Sequence, residues 1–344
     1  MRAARVLRNG PPLEAIAVED DIPVPDVLPG MVRIAVKTAA LNFGDIARCR
    51  GGVAAVTMPP PFTLGMEACG VVDAAGDGAE EWIGKRVVAM TLMSLGGLAE
   101  HALAQATGVF EAPPELDDVE AAAFLLPFHT CYLALVRRAK LQRGETLLVV
   151  GGASAVGTAA IQLGVAVGAR VIAVAGGAEK GELCTRLGAE VAIDHTSEDV
   201  VARVTELTDG RGADVVFDVV GGDQTETIWR CVAYEGRYIP VGFNDDPQSG
   251  LTGRALRKVS SQNFSVVGVL LAYTTPMPML RQMDLCPNPP SVGAEVHAAL
   301  AALVSSGSIR PVVGRRITLD DVAQALDDHE HRRTSGRTVV GIAP

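Results

Sequence analysis

A long apolar region of the chain begins at residue 147, and no charged side chain occurs in its first 23 residues. A bilayer-spanning helix needs about 20 such residues, but five glycines interrupt this region. The pattern instead predicts a strand over Leu147–Val150, a glycine-rich turn over Gly151–Gly157, a helix over Thr158–Val167 and a second strand over Val171–Ala175. Strands of a parallel sheet are covered by helices on both faces and are therefore apolar throughout. We expect a buried βαβ unit and no membrane span.

Strand and helix patterns alternate after this unit. Apolar runs predict strands over 189–194, 213–222, 236–242 and 264–272, and a helix capped by Ser197 extends to Leu207. Such alternation is typical of a doubly wound parallel sheet. The predicted fold class is therefore α/β.

The first 120 residues have a different pattern, in which short strands lie between turns rich in proline and glycine. Strands are predicted over Met31–Thr38, Ala68–Ala75 and Arg86–Leu92, which indicates a mostly antiparallel β domain. Asp117 and Glu120 have the spacing of a capping box and predict the start of a helix.

The C-terminal region has two predicted helices, Val292–Ser305 and Thr318–Leu326, and a closing strand over 338–342. A terminal strand needs a partner. We therefore expect this tail to return to the first domain.

Composition narrows the function classes. The 344 residues suffice for two domains, 48% of them are hydrophobic, and a formal net charge of -10 disfavours general nucleic-acid binding. Six scattered cysteines match neither a disulfide framework nor a structural zinc site, so we expect reduced thiols. The first residues include no apolar segment typical of a secretory signal, and we expect a cytoplasmic protein that does not bind membranes.

The glycine-rich turn predicts a dinucleotide site. Small residues let the backbone approach a pyrophosphate, and the following helix offers N–H donors at its N-terminus. Glycine-rich turns also join strands and helices that bind nothing, and the match to G-x-G-x-x-G is imperfect. The cofactor contacts expected here are Ser154, Ala155, Val156 and Gly157.

The end of the second strand bears on which nucleotide binds. NAD-binding units place an acid there on the ribose hydroxyls, whereas this chain has Gly176 and Gly177 and then Lys180. That turn favours the 2′-phosphate of NADP(H) over NAD(H), and the alternative is that Lys180 is simply a solvated residue in the first turn of the next helix. His195 follows the next strand and is a second candidate for the same phosphate or the adenine.

Several segments together resemble a known family. ALNFGD (40–45), LGMEACGVV (64–72), the glycine turn, LGAEVAID and GRGADVVFDVVGG are similar to the zinc-free quinone oxidoreductases of the medium-chain dehydrogenase/reductase superfamily. The resemblance covers residues 3 to 341. It implies a GroES-like β domain over 1–123 and 275–344, a Rossmann NADP(H)-binding domain over 124–274, an active site in the cleft between them, and a homodimer paired through strands such as 264–272.

The resemblance also implies site residues. Asn42 would donate a hydrogen bond near the nicotinamide or the acceptor oxygen, although capping the following helix is its alternative role, and Thr130 matches a threonine of the same cleft. Glu67 is expected to be structural. The remaining cofactor contacts that it implies are Val220, Val241, Gly242, Phe243, Gly268, Val269, Leu270 and, near the phosphates, Arg337.

The resemblance argues against zinc. Zinc alcohol dehydrogenases have Cys-His near Asn42-Phe43 and Gly-His-Glu at Gly65-Met66-Glu67, and the four-cysteine lobe is also missing here. The expected activity is NADPH-dependent hydride or electron transfer to quinones. A 2-enal, enone or enoyl-thioester reductase is the alternative, since Val53 stands where many members have a tyrosine. A crystallin-like or RNA-binding protein with little turnover is a third hypothesis.

Overall fold

The computed structural model describes residues 1–52, 58–242, 254–275 and 277–342. Its strands are β1 (Ala3–Val6), β2 (Ile16–Glu19), β3 (Met31–Ala40), β4 (Phe62–Thr63), β5 (Glu67–Ala75), β6 (Arg86–Met90), β7 (His101–Gln105), β8 (Val109–Glu111), β9 (Thr146–Val150), β10 (Arg170–Ala175), β11 (Val191–Asp194), β12 (Ala213–Asp218), β13 (Val232–Pro240), β14 (Ser265–Val266), β15 (Val313–Thr318) and β16 (Arg337–Gly341).

The α-helices are α1 (Pro12–Ala15), α2 (Phe43–Cys49), α3 (Asp118–Ala122), α4 (Leu125–Cys131), α5 (Ala155–Val167), α6 (Ala178–Arg186), α7 (Val200–Leu207), α8 (Thr225–Trp229), α9 (Arg257–Ser261), α10 (Pro278–Gln282), α11 (Pro290–Ser305) and α12 (Val322–Glu330). A π-helix, Tyr132–Arg138, continues α4. Within the described ranges, no helix has both the length and the apolar character that crossing a bilayer requires.

The chain divides into two compact units. The first contains Met1–Leu126 and Leu271–Pro344, and the second contains Pro127–Leu270. A β-rich GroES-like unit and a parallel-sheet Rossmann unit together confirm the predicted fold class.

The first unit is built mostly on antiparallel strands, and β15 and β16 form a parallel pair within it. Its larger sheet has the order β15-β16-β3-β5-β6-β8, with β7 also paired to β3, and a smaller sheet has the order β2-β1-β4. The closing strand β16 pairs antiparallel with β3, with Val340 opposite Ala39, so the prediction that the tail returns to the first domain is confirmed. Buried aliphatic side chains such as Ile34 and Leu64 form the core.

The second unit has a six-stranded sheet in the order β11-β10-β9-β12-β13-β14, and every pairing in it is parallel. Strands β9 and β12 are buried at nearly every position because helices cover both faces. Trp229, Tyr238 and Phe264 pack together on one face.

Several element boundaries differ from the sequence prediction, and three of the differences have a clear physical cause or consequence. Helix α5 begins at Ala155, a turn earlier than expected, because the Ser154 hydroxyl caps it. Helix α7 is capped by Asp199 and not by Ser197, since the Asp199 carboxylate accepts from the Ala202 amide. The predicted strand over 264–272 has ladder pairing only at Ser265 and Val266.

Candidate active site

Most of the predicted cofactor residues lie at the carboxyl edge of the six-stranded sheet. Strand β9 comes first along the chain and lies centrally, with β10 and β11 on one side and β12 to β14 on the other. Ligands of doubly wound sheets bind where the strand order reverses in this way, beyond the carboxyl ends. The turns after β9 and β12 therefore define the candidate site.

The turn after β9 is held closed by one hydroxyl. Ser154 Oγ donates to the Gly151 carbonyl at 2.7 Å and accepts from the Gly157 amide at 3.0 Å. A Cβ added at Gly157 would lie 2.2 Å from the Gly151 oxygen, and Gly151 has a left-handed φ of 82°. Only glycine fits at these two positions, which is why the chain can turn so tightly between β9 and α5.

Helix α5 offers amide donors just beyond this turn. The N–H groups of Ala155 and Val156 belong to the first turn, where intrahelical acceptors do not exist. With the positive end of the helix dipole, they suit a pyrophosphate. The Cys131 thiol donates to the Val156 carbonyl at 3.2 Å, so the buried Thr130, which precedes Cys131, is held close to the same turn.

Asp218, at the end of β12, holds the backbone on the β12 side of the switch point, the place where the strand order reverses. Its Oδ1 accepts from the amides of Val220 and Gly221, both at 2.9 Å, and Oδ2 accepts from the Tyr238 hydroxyl at 2.8 Å. Burial raises the pKa of Asp218. Asp218 was not predicted from the sequence, although an acid within an apolar strand pattern was a usable signal.

The backbone of Asp218 also fixes the chain after β13. Its carbonyl accepts from the amides of Val241 and Gly242 at 2.8 and 3.1 Å. A Cβ at Gly242 would lie 2.1 Å from the Val219 oxygen. The structure thus brings Val220, Val241 and Gly242 together, whereas Phe243 lies outside the described residues.

The segment after β14 contains Gly268, Val269 and Leu270. Arg138, the last residue of the π-helix, donates from Nε to the Gly268 carbonyl at 3.0 Å. Arg138 therefore anchors the segment at Gly268, the first of its three predicted cofactor contacts. Arg138 was not predicted as a site residue from the sequence.

The turns after β10 and β11 bring together the residues expected for a 2′-phosphate. Gly176 follows β10, and a Cβ there would lie 2.9 Å from His195 Nε2, so the imidazole packs against the turn. Lys180 is the third residue of α6, which begins directly after Gly177. A further acid, Asp194, links the two turns through hydrogen bonds to Gly177 and Thr196.

A second cluster, buried in the first unit, joins Asn42, Glu67 and Arg337. Arg337 Nη2 donates to Asn42 Oδ1 at 2.8 Å and contacts Glu67 Oε1. Glu67 Oε2 accepts from the Leu126 amide at 2.9 Å. Burial lowers the pKa of Arg337 to about 10, while Asp45 acts in the opposite direction, so the guanidinium is charged at neutral pH.

This cluster changes the interpretation of two predicted residues. The guanidinium of Arg337 has a carboxylate partner in its own unit, which is a different role from the expected phosphate contact. Asn42 donates from Nδ2 to the Ala40 carbonyl at 3.1 Å and accepts from Arg337 through Oδ1. Its amide is therefore occupied at both ends. Glu67 is buried and hydrogen bonded, as expected of a structural acid.

Comparisons with known proteins agree with this architecture. An alcohol dehydrogenase GroES-like domain model matches residues 28–114, and a zinc-binding dehydrogenase model matches residues 155–284. The quinone oxidoreductase-like protein 2 homolog of Nematostella vectensis is 36% identical over 98% of this chain and 88% of that protein. A quinone oxidoreductase of Pseudomonas aeruginosa is 33% identical over 91% of each chain.

Solved structures give the same picture. The Escherichia coli quinone oxidoreductase complexed with NADPH has a TM-score of 0.85 at 26% identity and covers 99% of both chains. A probable oxidoreductase from Mycobacterium abscessus has a TM-score of 0.82 at 33% identity, over 99% of this chain and 98% of that one. The chain therefore belongs to the quinone oxidoreductase-like family of the medium-chain dehydrogenase/reductase superfamily, whose members are oxidoreductases.

Proposed function

We propose that this protein is an NADPH-dependent oxidoreductase that reduces quinones without zinc. The observation that carries the proposal is the carboxyl edge of the sheet, where the turn Gly151–Gly157, with no room for a Cβ at Gly157, leads into α5, and the Ala155 and Val156 amides of the first helical turn have no intrahelical acceptor. These groups fit a pyrophosphate. The Escherichia coli relative that shares this fold is a complex with NADPH.

The preference for NADPH follows from the turn after β10. Gly176 and Gly177 leave no acid at the position where NAD-binding units hold the ribose hydroxyls. Lys180, in the first turn of α6, and His195, which packs against Gly176, would donate hydrogen bonds to a 2′-phosphate. When it is bound, reduced nicotinamide supplies the hydride. The chain contributes orientation: Val220, Val241 and Gly242 present the fixed backbone that would hold the nicotinamide half.

The zinc-free part of the proposal rests on donor chemistry. Zinc prefers thiolate and imidazole ligands, whereas positions 42, 66 and 67 hold an amide, a thioether and a carboxylate. The carboxylate, Glu67, already has the guanidinium of Arg337 as its cation. Quinones accept hydride readily and need less Lewis-acid help than a simple ketone.

Two measurements test the function. Fluorescence titration of the wild-type protein should give tighter binding of NADPH than of NADH, and initial rates of NADPH oxidation should be higher with a quinone panel than with an enone panel. Faster turnover of enones would replace the quinone assignment with the enone reductase. No binding of either nucleotide would refute the proposal.

Lys180→Ala tests the phosphate contact. We expect it to weaken NADPH binding about 10-fold, the effect of one charge-assisted hydrogen bond, and to change NADH binding little. Arg186→Ala, an exposed cation in the last turn of the same helix, is the matched control. Equal losses for the two nucleotides would contradict the role of Lys180.

We also propose a homodimer formed through β14. This strand lies at the end of the six-stranded sheet, Ser265 and Val266 are exposed, and the nearby Tyr234 is 72% exposed. Val266→Pro removes an amide from the outer edge of β14 and should give a monomer in light scattering. The Val267 amide, which donates to the Tyr238 carbonyl and holds β14 to β13, is retained. Leu256→Ser, another exposed apolar position, is the control. A monomeric wild type would contradict the proposal.

A further inference from the structure

Asp194, the last residue of β11, ties two turns together with one oxygen. Its Oδ1 accepts from the Gly177 amide at 2.9 Å, from the Thr196 amide at 3.0 Å and from the Thr196 hydroxyl at 2.7 Å. These hydrogen bonds, that from Gly177 first, lower the pKa of Asp194 to about 2. The Asp194 carboxylate is therefore an anion at neutral pH.

The two turns that Asp194 joins carry the predicted phosphate contacts. Gly177 precedes α6 with a left-handed φ of 83°, so its amide sets the direction in which the helix, and with it Lys180, leaves the sheet. Thr196 directly follows His195. Its methyl group and the imidazole both lie against Gly176, at 3.5 and 2.9 Å from the position of an added Cβ.

An acid in this place has two opposite effects on a 2′-phosphate. A carboxylate without hydrogen-bond donors from the chain would repel the phosphate and would accept hydrogen bonds from the ribose hydroxyls. In NAD-binding units, the acid that does this stands at the end of the second strand of the βαβ unit. Here the acid belongs to the neighbouring strand, and its Oδ1 is surrounded by three donors of the chain. Its charge therefore stabilises the two turns.

We propose that Asp194 is a positioning residue for NADPH selectivity: it holds the Gly176–Gly177 turn and His195 in the arrangement that accepts a 2′-phosphate. This inference rests on the proposed NADPH-dependent function. It differs from the contact assigned to Lys180, because Asp194 acts through backbone amides and not on the nucleotide.

The experiment compares dissociation constants of NADPH and NADH for full-length variants by fluorescence titration. Asp194→Ala removes three hydrogen bonds and should weaken NADPH about 10-fold while changing NADH less than about 3-fold. Asp194→Asn keeps an acceptor oxygen and should restore much of the selectivity. Thr196→Val removes only the hydroxyl donor and should have an intermediate effect. Glu182→Gln on α6 makes the same change of charge at an exposed site and should have none.

Each outcome is decisive. If NADH binding weakens more than NADPH binding in Asp194→Ala, the carboxylate accepts from the ribose and the inference is overturned. Equal losses of NADPH and NADH affinity would mean that the substitution damages the site in general, and this result would also overturn the inference. Unchanged selectivity in Asp194→Ala and Thr196→Val would show that Asp194 has no role in selectivity. If Asp194→Ala does not fold, Asp194→Asn and Thr196→Val still decide through the ratio of the two constants. A wild-type protein without NADPH preference refutes the proposed function itself, and the inference with it.

Discussion

Arg337 shows how much one buried ion pair can matter in this fold. Its side chain is 4% exposed and that of Glu67 is 2% exposed. Arg337→Met would leave the Glu67 carboxylate buried without a cation, and we expect a loss of about 3–5 kcal/mol in the free energy of unfolding. Urea denaturation followed by circular dichroism measures this change.

Two variants control that prediction. Arg333→Met removes an exposed arginine paired with Asp327 and Asp328 and should cost no more than about 1 kcal/mol. The double variant Arg337→Met with Glu67→Gln removes both charges and should recover part of the stability. A loss in Arg337→Met no larger than in Arg333→Met would show that the pair is not an ion pair in solution.

Asp218 predicts a defined pH dependence. Because burial raises its pKa, the folded protein binds a proton here more tightly than the unfolded chain, whose aspartates titrate near pH 4. The stability of the wild type relative to Asp218→Asn should therefore fall as the pH rises from about 4 through the folded pKa, and then stay constant. Chemical denaturation at a series of pH values tests this.

The control for Asp218 lies in the next turn. Asp223 has a side chain that is 91% exposed, so Asp223→Asn makes the same substitution at a solvated position. A stability difference between the wild type and Asp218→Asn that does not change with pH would mean that the Asp218 carboxyl is not shielded from water.

Residue roles were the part of the site least accessible from sequence. Arg337 and Glu67 are 270 positions apart, and only the pairing of β16 with β3 brings the arginine to the carboxylate. No local pattern encodes that contact. Asp194, in contrast, ends a predicted strand, and Asp218 lies within the predicted strand 213–222 at the residue where the structure ends β12. Parallel topology collects such side chains at one edge, so a search for acids along the apolar strands would have found both.

At the scale of elements, the start of α5 is the feature most sensitive to substitution. Gly157→Ala would place a Cβ 2.2 Å from the backbone oxygen of Gly151. Because a backbone atom can move only if the whole turn moves, we expect a loss of about 1–3 kcal/mol in unfolding free energy and weaker NADPH binding. Thermal melting and nucleotide titration measure the two effects.

Gly181→Ala is the matched control for Gly157→Ala. Gly181 lies inside α6, and an added Cβ would meet only the Ala192 Cβ at 3.6 Å, an ordinary contact. This variant should be neutral or stabilising by up to about 1 kcal/mol, because alanine favours the helix over glycine. Similar losses in both variants would mean that the tight turn is not the cause.

The length of β14 illustrates why periodicity alone misjudges strands. The apolar run 264–272 predicts a long strand, but the partner strand β13 ends at Pro240. The backbone groups of Tyr238 point toward β14, since the Tyr238 carbonyl accepts a hydrogen bond from the Val267 amide. Backbone groups alternate along a strand, so those of Pro240, two residues later, point to the same side. Proline has no N–H to donate to the next rung, so the ladder stops after Val266.

At the scale of the whole molecule, the sequence predicted the fold class because burial leaves a strong pattern. The charge-free βαβ region and the later alternation required a covered parallel sheet, and the sheet has six parallel strands. Strand order depends on contacts between distant segments, which periodicity does not encode. The family resemblance supplied the Rossmann topology instead. The switch point, and hence the site, follows from that order.

The metal content of the whole chain is the last property that the donor chemistry predicts. Among the described residues, one group of three potential ligands comes together, Asp327, Glu330 and His331 at the end of α12. Glu330 already pairs with Arg50, and Asp327 pairs with Arg333 and His331. A cation there would have to displace these partners, and at Glu67 it would have to displace Arg337. We therefore expect elemental analysis of the purified protein to give substoichiometric zinc, and dialysis against a chelator to leave the rate of quinone reduction unchanged. One zinc per chain, lost together with activity on chelation and recovered on adding the metal back, would contradict the proposed direct hydride transfer.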